Sequence, residues 1–326
     1  MKKFLDYKNF DEIYNLKKDN IKIIFVGDIM LSNYSSNHKP HIYNSIYTPG
    51  KLIKKGIDPF SDFAELFKKA DITIGNLECC ITTTNKPIDK PYVFKANPRV
   101  IPLLKKYFNA LSIANNHSYD YGEEGFNEMI TLLKNNNLPY FGGGKDIYEA
   151  LEPVIFNIKN IRIAILGYNN SIPNEPNATE YKSGSVWATK DNIKTNIIRV
   201  KNIYEPDYII VFMHWGDEYE KIAKDEEQIL FGHLAIDSGA DIVIGSHPHV
   251  TQNIEIYNNK PIFYSLGNFL FHGFADQDTS SANYDTNETS TGWALELNLT
   301  TQLKLSWKIH IARLDQYGIP IYSGEL

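Results

Sequence analysis

Five short segments of this chain pass from apolar residues straight into side chains that bind metals or carry protons. Ile23-Ile24-Phe25-Val26 leads into Gly27-Asp28, and Ile72-Thr73-Ile74 leads into Gly75-Asn76-Leu77-Glu78. Leu111-Ser112-Ile113-Ala114 leads into Asn115-Asn116-His117-Ser118-Tyr119-Asp120. Ile209-Ile210-Val211-Phe212-Met213 leads into His214, and Ile242-Val243-Ile244 leads into Gly245-Ser246-His247-Pro248-His249. Carboxylates, an amide oxygen and imidazoles together make a hard-to-borderline donor set. It suits zinc, manganese or iron and matches calcium poorly, because calcium takes all-oxygen shells. Each piece alone has a plainer reading: a strand-end Asp caps the next helix, a single His is satisfied in a core, and Asn-Asn makes a turn. Their joint occurrence points to one divalent-metal site with Asp28, Asn116, His214, His247 and His249 among its ligands. His247 and His249 are two apart and would share a face of an extended strand, and Pro248 excludes helical phasing at His247.

For such residues to meet, the elements carrying them must end at one edge. Apolar β-branched runs at 21–26, 71–74, 110–113, 161–166, 208–213 and 242–244 read as strands. Between them lie amphipathic segments at 59–69, 98–107, 123–136, 191–204 and 224–238. Buried strands alternating with helices are βαβ units of an α/β fold, whose ligand crevice lies at the carboxyl ends of the strands. After residue 250 the pattern changes: 250–257, 261–266, 293–299 and 303–313 read as consecutive antiparallel strands forming a second sheet or a sheet extension. The polar stretch 275–291 reads as a long loop. No repeat or linker interrupts residues 21–326, so the expectation is one domain behind an N-terminal extension, 1–20.

Composition narrows the partners. A formal net charge of −6 with only scattered lysines lacks the clustered basic excess of a nucleic-acid surface. The two cysteines, Cys79 and Cys80, are adjacent and cannot bridge without strain, so no oxidising compartment is demanded. No run approaches the ~20 apolar residues of a membrane span, and none has the form of a signal peptide. The expectation is a soluble, cytoplasmic protein that binds no nucleic acid.

The segments GDIM (27–30), GNLE (75–78), ANNHSYDYG (114–122), HWGDEY (214–219), GADIVIGSHPHV (239–250) and YSLGNFLF (264–271) resemble, in order, the bacterial capsule-synthesis CapA family. That family is linked to poly-γ-glutamate biosynthesis and is related to the calcineurin-like metallophosphoesterases. The resemblance implies a four-layer α/β/β/α sandwich with a two-metal centre between its sheets. It implies metal ligation by Asp28, Asn116, His214, His247 and His249, with His117 assisting the leaving group. The bridging carboxylate has no identical counterpart; Glu78 is the nearest, with Asn76 as an alternative ligand through its amide oxygen. One departure stands out: Met30 occupies the place of a histidine ligand, and a thioether is a poor donor for a hard ion. One of the two metal positions is therefore expected to be weak.

Around this set, Asp120 is read either as the partner orienting His117 or as a helix cap. Lys95 falls where the family often carries arginine, and is read as a contact for an anionic group or as an exposed lysine. Glu218 is read as a partner of His214, a substrate contact or surface, and Asn268 as a residue lining the site or a turn amide. The function expected is a metal-dependent hydrolase associated with capsule or poly-γ-glutamate metabolism, acting on a phosphoester or on a γ-glutamyl or other amide bond of an anionic small molecule or oligomer. The alternative is a non-catalytic accessory component of capsule or poly-γ-glutamate synthesis. The lack of an anchor segment favours the former.

Overall fold

The computed structural model describes residues 20–32, 35–36, 49–171, 176–224, 226–272, 286–302 and 304–326. The expected N-terminal extension and most of the 275–291 loop fall outside these residues.

Alternation along the strands decides the layering. In β1 (Asn20–Ile29), Ile21, Ile23 and Phe25 enter one buried cluster, while Ile24 and Val26 enter another. The same two-residue period divides β6 (Ile161–Asn170) and β7 (Tyr208–Trp215). Ile163, Ile165, Ile210 and Phe212 share the cluster of Phe25; Ala164, Leu166, Ile209 and Val211 face a third. Because side chains alternate across a strand, these three strands are apolar on both faces and must be covered twice. The central cluster is therefore the seam between two sheets, with Phe25 stacked against Phe212 at a centroid distance of 6.0 Å.

The first sheet adds β2 (Ile72–Leu77), β3 (Ala110–Ser112), β4 (Tyr140–Phe141), β11 (Asn268–Leu270), β12 (Thr291–Thr300), β13 (Leu305–Leu314) and β14 (Pro320–Glu325). Its order is β14-β13-β12-β1-β2-β3-β4, and β11 pairs with the end of β1. The second contains β5 (Val154–Ile158), β6, β7, β8 (Ile242–Ser246), β9 (Ile254–Tyr257) and β10 (Lys260–Phe263), in the order β5-β6-β7-β8-β10-β9. The helices cover the outer faces. Phe67 of α1 (Ala64–Lys68), Leu104 of α2 (Ile101–Tyr107) and Phe126 of α3 (Gly122–Asn135) pack on the first sheet. Ile193, Ile197 and Val200 of α4 (Lys190–Tyr204), spaced for one helical face, join Phe231 and Ala235 of α5 (Glu226–Ser238) on the second. This is the four-layer α/β/β/α sandwich.

The region after residue 250 departs from expectation. Its four strands are not one antiparallel run: β9 and β10 join the second sheet, where β10 lies parallel to β8, whereas β12 and β13 join the first. Strands β5 and β14 were not anticipated; β14 is largely exposed and β5 only partly buried, so neither carries a long apolar run. Cys79 and Cys80 are free and buried. Among the described residues no helix is long and apolar enough to cross a membrane.

Candidate metal centre

Strand alternation delivers most of the site. Tyr208, Ile210 and Phe212 of β7 lie in the seam between the sheets, so the next residue on that face is His214. By the same step β8 presents Ser246 after Ile242 and Ile244, and β2 presents Asn76 after Ile72 and Ile74. Alternation alone would turn Asp28 away, towards the helices. The register between β1 and β2 slips here: Val26 pairs with Gly75, but Asp28 pairs with Asn76. Gly27 is the extra residue of this bulge, and it rotates Asp28 into the seam. Glycine is required there, because a Cβ would lie 1.9 Å from the carbonyl oxygen of Gly267.

Two groups of donor atoms result, Glu78 with His214 and His247, and Glu78 with Asp28 and His249, each with its atoms within 4.8 Å of one another. Asn116 extends the first, its Oδ1 lying 2.7 Å from His214 Nε2. Glu78, common to both, is fully buried, and neither carboxylate oxygen has a hydrogen-bond partner. Its nearest basic atoms are His214 Nε2 at 3.6 Å and His249 Nε2 at 4.0 Å. Those distances are too long for hydrogen bonds but match two ligands that each sit about 2.1 Å from a shared ion. His247 Nδ1 is likewise buried without a partner. Burial, with Asp28 and Glu218 nearby, pushes the Glu78 carboxyl well above its usual range, and burial also raises Asp28. Burial holds His214 and His247 well below theirs, in the neutral form that ligates metals. Two buried carboxylates beside these neutral imidazoles, with the Glu78 oxygens lacking hydrogen-bond partners, fit a divalent ion.

His247 and His249 do not share a strand face. The strand ends at Ser246, and both histidines take left-handed backbone angles, φ 98° and 58°. Such angles are costly for residues with a Cβ and concentrate at functional sites. The turn sends the two rings to different donor groups.

A surrounding layer fixes these candidate donors. Nδ1–H of His249 donates to Asn268 Oδ1 (2.9 Å), while Asn268 Nδ2 donates to the carbonyls of His249 and Thr289. Asn268 thus orients the His249 ring and turns its Nε2 towards Glu78. Asn76 Nδ2 donates to Asp28 Oδ1 (2.8 Å), and its Oδ1 accepts from Asn115 Nδ2 (3.0 Å). The amide oxygen of Asn76 is therefore engaged, against the expectation that it could serve as a ligand. Ser246 Oγ lies 3.0 Å from His214 Nδ1 and holds its ring.

Beside this set, Nδ1–H of His117 donates to Asp120 Oδ2 (2.6 Å), which also accepts from the backbone N–H of Phe94 (2.6 Å). Asp120 is the orienting partner; the cap position of α3 is Tyr121, with no side-chain cap bond. Lys90 Nζ reaches Asp120 Oδ1 (3.0 Å) and the Asn116 carbonyl. Burial depresses the His117 imidazole to about 4.

The remaining expected residues land elsewhere. Lys95 Nζ donates to the Thr84 carbonyl and to Asn85 Oδ1, so it does not join the centre; Lys90 is the cation there. Glu218 is exposed, yet close enough to raise the Glu78 carboxyl. Met30 is buried in the apolar cluster on the helix side of the first sheet, as a packing residue. Ser246, Asn115 and Lys90 were missed as participants. The first two lie inside the motifs, whereas nothing in its local sequence marks Lys90.

The model of the bacterial capsule synthesis protein family PGA_cap matches residues 22–273. The chain belongs to this family. It is 30% identical over 290 residues to the PGA biosynthesis protein CapA of Bacillus subtilis (strain 168), covering 84% of this chain and 70% of that one. It is 29% identical over 284 residues to the capsule biosynthesis protein CapA of Bacillus anthracis, covering 84% of this chain and 66% of the relative. The PGA_cap chain thus spans about two thirds of the curated relatives it matches. Among solved structures, a hypothetical protein from Thermus thermophilus superposes with a TM-score of 0.52 at 14% identity, over 94% of this chain and 100% of that one, a likeness of fold alone.

Proposed function

We propose that this PGA_cap chain is a divalent-metal-dependent hydrolase of capsule or poly-γ-glutamate metabolism, cleaving a phosphoester or a γ-glutamyl amide bond. The observation that carries the reading is Glu78: a buried carboxylate with two unpartnered oxygens, shared by two donor groups and set beside an oriented histidine. Asp28, Glu78, Asn116, His214, His247 and His249 would hold manganese, iron or zinc. When bound, such an ion supplies a Lewis acid for the scissile centre and lowers the pKa of water.

The chain's own residues account for the proton traffic. Asp120 accepts the Nδ1 proton of His117 and so leaves Nε2 as the exchanging atom. With its imidazole depressed to about 4, His117 is neutral at pH 7. To assist the leaving group it must first take up a proton at Nε2, which it then passes to the leaving oxygen or nitrogen. Lys90 neutralises Asp120 and ties it to the Asn116 backbone, which keeps acid–base group and ligand segment in one frame. The accessory reading draws on Met30, which leaves the group of Asp28, Glu78 and His249 without a further histidine.

The test pairs metal analysis with a substrate screen. Protein purified without chelator should contain manganese, iron or zinc, and should turn over a phosphomonoester, phosphodiester or γ-glutamyl peptide. Asp28→Ala and His247→Ala should abolish both properties. Activity unchanged in both variants rejects the ligand assignment; a metal-loaded protein inert towards every substrate favours the accessory reading.

A further inference from the structure

One buried donor near the centre is used by nothing in the mechanism above. Asn169 lies two residues from Gly167 on β6, on the strand face that carries Ile161, Ile163 and Ile165 into the seam. It pairs directly with His214, whose other neighbour in the sheet is Ser246. Adjacent strands are about 4.8 Å apart, so Asn169 flanks the His214 side chain on the same face. Asn169 is fully buried.

The orientation of its amide is fixed by chemistry. One end accepts from the backbone N–H of Ser171 (3.1 Å) and from Ser171 Oγ (2.7 Å). A backbone N–H can bond only to an acceptor, so that end is Oδ1 and the other is the NH2 group. Nδ2 is buried and has no hydrogen-bond partner among the described residues. The backbone of Asn169 is already satisfied, its N–H donating to Val186 O (2.8 Å) and its carbonyl accepting from Ala188 N (2.9 Å). Buried amide protons left unmet are rare, and they concentrate where a ligand completes them.

We propose that Asn169 Nδ2 donates a hydrogen bond to an anionic oxygen, phosphoryl or carboxylate, of the molecule that occupies this centre. The proposal rests on reading the centre as a metal-dependent substrate site. It adds an uncharged donor on the second sheet, beside His214, to a site whose other groups are ligands, proton carriers and a cation. A donor there rewards an oxygen-rich ligand and leaves itself unpaired against an apolar one.

The experiment titrates manganese-loaded protein with inorganic phosphate and, separately, with γ-glutamylglutamate, following heat. Wild type is compared with Asn169→Asp, which keeps the acceptor for Ser171 and removes the donor, and with Asn169→Ala, which adds no charge. Affinity for one of the anions should fall about tenfold or more in both variants, as expected for losing a hydrogen bond to a charged group, with manganese stoichiometry unchanged. The anion affected identifies the source of the oxygen. Manganese uptake with anion affinities within about twofold of wild type in the Ala variant, or with neither anion bound by wild type, overturns the role of Asn169 alone. Wild-type protein that takes up no manganese overturns the underlying reading as well.

Discussion

Replacing Glu78 by glutamine separates what the centre costs from what it does. In the metal-free protein both Glu78 oxygens are buried without partners, and Asp28 adds a second negative group. An unsatisfied buried polar group costs about 1–3 kcal/mol, more when charged. Glu78→Gln keeps the shape and removes the charge, so the metal-free variant should be the more stable. At roughly 2 °C per kcal/mol for a chain of this size, its Tm in chelator should exceed that of wild type by about 2–6 °C. The pH dependence has a definite sign. The folded Glu78 carboxyl is raised, so the unfolded chain ionises first and wild-type stability falls as pH rises above the ordinary glutamate value of about 4.3. The variant's advantage should therefore be present at neutral pH and vanish below about pH 4. Adding manganese reverses the order. Wild type gains about 2.7 kcal/mol at a hundredfold excess over Kd, or about 5 °C, while the variant gains little. Calorimetry of both proteins, in chelator and with manganese, at pH 4 and pH 7 reads these differences. A variant less stable than wild type in chelator at pH 7, or one that gains as much from manganese, would refute the reasoning.

Asp120→Asn should leave metal content intact and lower kcat about 10²-fold or more by freeing the His117 tautomer; the readout is turnover beside elemental analysis. Asn268→Ala removes the acceptor that holds His249 and should weaken metal affinity about 10–100-fold, measured by competition with a chelating dye. Gly27→Ala places a methyl group 1.9 Å from the Gly267 carbonyl oxygen; stability should fall by about 3 kcal/mol or more, read as loss of soluble protein or a lowered denaturation midpoint.

The candidate donor residues were legible in the sequence because most of them follow an apolar run of the kind a doubly buried strand carries. The geometry within the set was not. The orientation of Asp28 depends on a one-residue slip between β1 and β2, which no periodicity encodes, although Gly27 marks its place. His247 and His249 were expected to share a strand face because the strand was carried too far; it stops at Ser246, and the left-handed turn sends the rings apart. Lys95 and Lys90 are five residues apart, and only tertiary contacts tell them apart: Thr84 and Asn85 take one, Asp120 the other. Asn268 and Asn169 needed the sheets themselves, since what an amide does depends on which of its ends is already occupied.

The apolar seam between the sheets stops where the polar strand ends begin. Phe25, Ile74, Ile165, Phe212 and Ile244 fill it, and Asp28, Asn76, Asn169, His214 and Ser246 lie just past its edge. Shape and reactivity are thus inherited on separate residues of the same strands. A lineage can exchange its strand-end side chains, and with them its chemistry, while the slab that makes it fold is untouched. The fold is for that reason a poor witness to the reaction of any descendant. What a chain of this fold can do chemically is set by a handful of positions at and just past its strand ends, here Glu78 among them.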